Sequence, residues 1–409
     1  MTNYSAPKFQ EEYSAKLPAL ALLTHLGWTF LPPEQALAAR GGKYDQVVLR
    51  DILREELSKR RFTFAGREHA LSEKSIDNLI AEVCSPALNE GLLTANEKLY
   101  NHLLYGISVT EFVDGKKTSP TIPLVDWNNL ANNSFTYTEE FTVSRTGGVG
   151  ASAQDTRRPD IVCFVNGIPL VVIEAKRPDG NAKKGPTIDE GVSQSLRNQR
   201  HDEIPMLFAY SQLLLSINGN EGRYGTCGTP AKFWAAWREE DISGAEMYAI
   251  KNKQLSDQQL TGLFSHRAAK DLDWYQSLTA AGELAVTGQD QLLISLLSPA
   301  RLMEMIRYFT LFDKKAGKIV ARYQQVFGIK RLIERINTRS ANGGREGGVI
   351  WHTTGSGKSF TMVFLSKALI LHDSLKQCRI VVVTDRVDLE SQLSKTFASG
   401  GELADKKDK

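Results

Sequence analysis

Three residues near the middle of the chain have the types and spacing to cut a phosphodiester. Pro159-Asp160 stands at the head of one apolar run, Ile161–Val165, and Glu174-Ala175-Lys176 closes the next, Ile168–Ala175. Side chains alternate across a strand, so Glu174 and Lys176 project from one face and Ala175 from the other. Asn166-Gly167 between the runs is a strong hairpin signal. Folding the chain about it sets Asp160 opposite Ile173, beside Glu174, so two carboxylates and one amine meet at a sheet end. Carboxylate oxygens are hard ligands suited to Mg2+, which makes Asp160 and Glu174 the expected metal ligands. A metal held there would polarise a phosphodiester and help form hydroxide, with Lys176 orienting the water or offsetting developing charge. Arg157, Arg158, Arg177, Lys183 and Lys184 lie around the motif and offer a phosphate-contact surface.

A second constellation follows the apolar stretch Val349-Ile350-Trp351. Residues 352–359 read His-Thr-Thr-Gly-Ser-Gly-Lys-Ser, a relaxed phosphate-binding loop with His352 where the strict pattern has glycine. Gly355 and Gly357, with Ser356 between them, let the backbone approach a phosphate. Amides at the start of a helix over 360–371 would point at the β-phosphate. Lys358 would reach the β- and γ-phosphates of ATP, and the Ser359 hydroxyl would be a ligand of Mg2+.

These groups need elements to hold them. With 409 residues, the chain is long enough for two or three domains. Its hydrophobic content of 42% and charged content of 24% are those of an ordinary globular protein, and a net charge of +3 neither demands nor opposes nucleic acid. Four scattered cysteines have no metal-ligand spacing, the seven histidines form no zinc motif, and no apolar run is long enough to span a membrane. The expectation is a cytoplasmic protein with reduced thiols. An amphipathic helix is expected over 10–27, stopping at Gly27, and a second helix over 73–84. Residues 107–113 and 135–145 read as strands. The 161–175 hairpin, a polar loop over 179–186, a helix over 188–200 and a buried strand over 207–218 follow. Residues 240–300 read as mostly polar helix and connection. Strands are expected again at 348–351 and 379–384, flanking the phosphate loop.

In order and spacing, Pro159-Asp160, Glu174-Ala175-Lys176, a helical Gln194, then Leu207-Phe208-Ala209-Tyr210 and Ser216-Ile217-Asn218-Gly219 resemble the N-terminal half of the restriction (R) subunit of type I restriction endonucleases. The resemblance implies an α/β fold, with a PD-(D/E)xK restriction-endonuclease-like domain over 1–245. It further implies a helical connection over 246–305 and an incomplete RecA-like P-loop lobe over 306–409. It implies that Gln194 supports the site or contacts DNA. The family has Gln-x-x-x-Tyr on this helix, and here Asn198 replaces the tyrosine. The family's acidic residue on the first helix corresponds to Glu11 or Glu12. Arg322-Tyr323-Gln324-Gln325 resembles the adenine-reading motif of superfamily 2 helicases, with Gln324 as reader. Thr384-Asp385-Arg386, Asp388-Leu389 and Gln392 resemble the next motif, which touches DNA.

In the intact family member the resemblance implies Mg2+-dependent cleavage of double-stranded DNA coupled to ATP-driven translocation. The partners would be modification and specificity subunits, the modification subunit using S-adenosylmethionine. Another nuclease–helicase fusion, type III-like or of repair, and an inactive remnant that only binds DNA or the modification complex are the alternatives. The sequence breaks off before a Walker-B acid, so it is expected to be the N-terminal part of such a subunit, without ATP turnover of its own. Its resistant core is expected to end near 240–260.

Overall fold

Burial explains the layout of the sheet that carries the site. The computed structural model describes residues 10–146, 155–178, 187–313, 315–351, 353, 357–372, 375 and 378–383. Residues up to 301, except 238–240, form a first unit; 238–240 and 302 onward form a second. The first unit is built on six strands: Thr29–Phe30 (β1), Phe135–Glu139 (β2), Ile161–Val165 (β3), Ile168–Ala175 (β4), Leu213–Ile217 (β5) and Gly222–Gly225 (β6). They lie side by side in chain order. β1 and β2 run parallel, as do β4 and β5; the other neighbours are antiparallel. Every residue of β3, β4 and β5 is buried, as strands covered on both faces must be.

The β3–β4 hairpin forms where expected. Asn166 (φ 51°) and Gly167 (φ 78°) are both left-handed, the geometry of a tight two-residue turn. Gly167 also allows a close approach, since a Cβ there would lie 2.5 Å from the Leu49 carbonyl oxygen. The register differs from the expected one by a residue. Ile161, not Asp160, faces Ile173, because the pairing slips between Cys163 and Phe164: Cys163 faces Val171 while Phe164 faces Pro169. Leu170 is the extra residue of this bulge, next to a proline that has no N–H for the ladder. The slip carries Asp160 one step further, level with the end of β4.

The segment expected as one strand over 207–218 is two elements. Pro205–Phe208 is a helical turn with proline in its first turn, and β5 starts only at Leu213. The carbonyls between them are satisfied by side chains rather than by a strand neighbour. Asn96 Nδ2 donates to Phe208 O (2.8 Å) and Ser211 O (2.9 Å), and Ser211 Oγ donates to Leu207 O (2.9 Å).

The first helix begins with a π turn, Glu12–Lys16, and continues as Leu17–His25 (α1); Gly27 ends it in the left-handed region. It is not amphipathic, since Leu17, Leu20, Leu22 and Leu23 are all buried. The second expected helix is Glu73–Val83 (α2), capped by the Ser72 side chain. Between the parallel strands β4 and β5 runs Thr187–Asn198 (α3), packed against both.

Residues beyond 240 account for the burial of α1. Gly244–Lys251 (α4), Asp257–Phe264 (α5), Ala269–Ala280 (α6) and Gly288–Leu297 (α7) belong to the first unit, and α4, α5 and α7 pack on α1. Three of these helices start with capping boxes, at Ser243, Ser256 and Thr287. α7 is buried along its length, although the sequence around it reads as polar connection. Gln289 Nε2 donates to Ala15 O (2.9 Å), and Trp28 Nε1 donates to Leu297 O (2.7 Å).

The second unit holds Pro299–Tyr308 (α8) for the most part, a hairpin of Thr310–Asp313 (β7) and Gly317–Val320 (β8), then Tyr323–Asn337 (α9) and Lys358–Leu371 (α10). Phe309, Phe327 and Phe364 are its buried aromatic centre. The expected strands at 348–351 and 379–384 are not formed among the described residues. Val349 and Trp351 are each 91% exposed, and Val383 is 86% exposed. A strand without neighbours has nothing to bury its side chains against. Among the described residues no helix is long and apolar enough to cross a membrane.

Because α7 closes over α1, limited proteolysis of the 409-residue chain is expected to leave a resistant fragment ending near residue 300, not at 240–260. Mass spectrometry of the fragment checks this. A stable product ending before residue 245 would show that the helices after β6 are not part of the first unit's core.

Candidate active site

The end of β4 places a carboxylate where solvent does not reach. Glu174 has no exposed surface. Its partners come from α3, one turn apart: Gln194 Nε2 donates to Oε2 at 2.6 Å and Asn198 Nδ2 donates to Oε1 at 3.4 Å. The i, i+4 spacing sets both carboxamides on one face of the helix. That face reaches the strand because Gly191 lies against it. A Cβ at 191 would sit 2.2 Å from Ser216 Oγ, which donates to Ile188 O at 2.7 Å. Asn198 therefore occupies the site, in contact with Glu174, where the resemblance leads one to expect tyrosine.

Asp160 meets the same strand end. The backbone N–H of Ala175 donates to its Oδ2 at 2.7 Å, and Lys176 Nζ stands 3.5 Å from the same oxygen. The bulge thus brings Asp160, Glu174, Lys176 and Gln194 together. Burial pushes the Glu174 carboxyl well above the ordinary carboxylate range. The negative charge of Asp160 and a hydrogen bond with it push the same way, against Lys176. Two carboxyls in contact, one held as the acid, form a site where a divalent cation could take the place of the shared proton. Asp160 and Glu174 could hold such an ion with hard oxygens. Among the described residues no ready-made cluster of three His, Cys, Asp or Glu ligands exists.

Glu11 and Glu12 separate clearly. Glu11 is raised by burial and interacts with Lys176, Asp160, Lys16 and Glu140. Glu12 instead pairs with Lys16 (2.6 Å) and Arg267. Of the basic residues expected to meet phosphates, two are engaged with carboxylates: Arg157 with Glu203 (2.6 Å) and Arg158 with Glu140 (2.5 Å). Arg177 is exposed; Lys183 and Lys184 lie outside the described residues.

In the second unit, Gly357 is left-handed (φ 85°) and α10 begins at Lys358, which is exposed, followed by a half-buried Ser359. His352, Gly355 and Ser356 lie outside the described residues, as does the motif from Thr384 to Gln392. Gln324 is exposed on the first turn of α9. Its neighbour Gln325, the last residue of the same motif, is buried. Gln325 Nε2 donates to Gly357 O (3.3 Å) and Thr361 Oγ1 (3.2 Å), and its Oε1 accepts from Arg322 N (2.9 Å). Its position three residues after Arg322, where a capping-box glutamine belongs, was the available signal.

Residues 8–233 match the family described as Type I restriction enzyme R protein N terminus, and residues 324–409 match SWI2/SNF2 ATPase. The endonuclease subunit of the type I restriction enzyme HindI from Haemophilus influenzae is 32% identical over 395 residues, 94% of this chain and 32% of that protein. A Methanocaldococcus jannaschii protein described as the endonuclease subunit of a type I restriction enzyme, MjaIXP, is 26% identical over 412 residues, 96% of this chain and 34% of that protein. The SauMSSORF170P endonuclease subunit of Staphylococcus aureus is 23% identical over 362 residues, 87% of this chain and 31% of that protein. The chain spans about a third of the length of these relatives.

The state of Glu174 is measurable through stability. Its folded pKa lies above the ordinary 4.5, so above that pH the native chain keeps a proton that the unfolded chain has released. Stability should therefore decline as pH rises through this window, at up to about 1.4 kcal/mol per pH unit, and level off once the folded group ionises. Glu174→Gln should remove that slope and be the more stable form at pH 8 in EDTA. Urea denaturation from pH 5 to 8 reads both; parallel curves for the two proteins would show that Glu174 is not held as the acid.

Proposed function

The chain belongs to the type I restriction enzyme R protein N-terminal family, and from that premise we propose that its first unit carries the DNA-cleaving centre of such an enzyme. The observation that carries the reading is the buried Glu174 carboxyl, met by Asp160 and Gln194 and flanked by Lys176 at one sheet end. These residues support reading the unit as a PD-(D/E)xK nuclease. Asp160 and Glu174 would hold Mg2+, with Glu11 as a third acid. When bound, the ion supplies Lewis-acid polarisation of a phosphodiester and a lowered pKa for water. Lys176, 3.5 Å from Asp160, orients the attacking water or offsets charge on the phosphoryl oxygens. Gln194 fixes the rotamer of Glu174 by holding Oε2, and Asn198 does the same for Oε1. Arg177, which is exposed, would meet the DNA backbone.

The second unit is read as the start of a RecA-like ATPase and translocase lobe. Gly355, Ser356, Gly357 and Lys358 would bind the phosphates of ATP, Ser359 would bind Mg2+, and Gln324 would read adenine. Gln325 holds the end of the loop against α9. The domain limits that go with this reading are a nuclease over 1–245, its helical continuation over 246–305, and the ATPase lobe over 306–409. Double-stranded DNA is the substrate. The partners are a modification subunit, which uses S-adenosylmethionine, and a specificity subunit that selects the site. A cytoplasmic location accords with both.

Asp160→Ala and Lys176→Ala, placed in the full-length subunit and assembled with its partners, should each lower DNA cleavage by at least about 100-fold while ATP hydrolysis continues. Agarose-gel cleavage and a phosphate-release assay read the two activities. Normal cutting by both variants would remove the site from the reaction.

A further inference from the structure

The charges that the cleavage chemistry does not use form a second cluster beside it. Arg267, in the turn between α5 and α6, pairs with Glu12 and with Glu139 at the end of β2. Lys16 completes the knot, 2.6 Å from Glu12, 2.5 Å from Glu140 and 3.4 Å from Glu139. His266 Nε2 lies 2.8 Å from Glu139, and Asp271, 3.9 Å from Arg267, accepts from Tyr13 Oη at 2.7 Å. The central side chains are nearly sealed from water: Arg267 is 7% exposed and Glu139 4%. Buried charges hold one geometry or are strongly destabilising, so such a knot fixes the position of every backbone that contributes to it.

Two of those backbones lead to the cleavage site. Glu12 is next to Glu11, which shares its charge environment with Asp160 and Lys176. Glu139 is next to Glu140, whose N–H donates to the carbonyl of Asp160 at 2.9 Å. Arg267 and Lys16 both grip Glu12 and Glu139, but Lys16 belongs to the first helix itself, whereas Arg267 comes from the α5–α6 turn, 34 residues beyond the end of the family match at 233.

We propose that Arg267 is a positioning residue for the cleavage centre. By clamping Glu12 to Glu139 it sets where Glu11 and Asp160 stand relative to Glu174, and so makes the α5–α6 turn part of the nuclease. Arg267 touches neither metal nor DNA in this role. The proposal rests on the nuclease reading above.

The test is Mn2+ binding by the whole 409-residue chain, read from the relaxation of water protons by bound Mn2+. Asp160→Ala should abolish binding. Arg267→Met should weaken it about tenfold, as loss of an outer support does at metal sites. Arg267→Lys, which keeps charge without the two-pronged grip, should fall between. Arg301→Met breaks a buried-arginine pair elsewhere in the unit, with Asp241 at 3.0 Å, and should leave the affinity unchanged. That separates positioning from general loosening. Should Arg267→Met not fold, Glu12→Gln removes one arm of the clamp and should still weaken binding. If Asp160→Ala abolishes binding while Arg267→Met and Glu12→Gln leave it intact, the positioning role is overturned and the nuclease reading stands. If Asp160→Ala binds Mn2+ as well as the parent chain, the nuclease reading itself fails.

Discussion

A carboxyl group with no exposure, at the end of a central strand, is the constraint on which the first unit depends. Burying Glu174 is costly unless each oxygen finds a donor or a cation. The fold meets that demand with a helix, α3, laid across β4 and β5 so that Gln194 and Asn198 present two amides. The helix reaches that depth only because residue 191 lacks a side chain. The strand reaches it because a bulge at Leu170 brings Asp160 level with Glu174. Hairpin turn, bulge, crossover and glycine all answer to one buried group.

The surrounding charges divide into those held and those left free. Arg157 and Arg158 are tied to Glu203 and Glu140, and Lys16 to three carboxylates. Burial works against charge on Lys16, yet its acidic neighbours raise its pKa and keep it charged. The same balance holds Glu139 below the ordinary carboxylate range: burial would raise it, and His266, Arg267 and Lys16 outweigh burial. At Glu174 burial wins, with Asp160 adding to it, and at Glu11 burial also outweighs the nearby lysines. The contrast marks Glu174 and Glu11 as the acids still in need of positive charge, the electrostatic pattern that perturbed functional sites share.

Much of this was legible in the sequence, and the failures have local causes. Asn166-Gly167 specified its turn through backbone sterics alone, so the hairpin and the meeting of Asp160 with Glu174 and Lys176 followed. The one-residue error in register came from the bulge, which depends on packing at Pro169 and Leu170 rather than on any turn residue. Strand-like apolar content misled over 207–218, because the carbonyls there are taken by Asn96 from a distant helix. Polar composition hid the burial of α7, whose partner α1 is more than 250 residues away. Glu11 and Glu12 could not be told apart because a π turn, not a regular helix, sets their directions. At the phosphate loop the sequence picked the exposed Gln324, whereas contact with Gly357 belongs to Gln325.

The central claim is that the acids at the end of β4 form one cation site. Fe2+ bound in place of the divalent ion, with ascorbate and peroxide, cuts polypeptide within reach of the hydroxyl radicals it releases. The account predicts fragments ending near Asp160, near Glu174–Lys176 and near Glu11, all suppressed by excess Mg2+ and absent in Glu174→Gln. Fragments confined to other segments, or the same pattern in the Glu174→Gln protein, would contradict it.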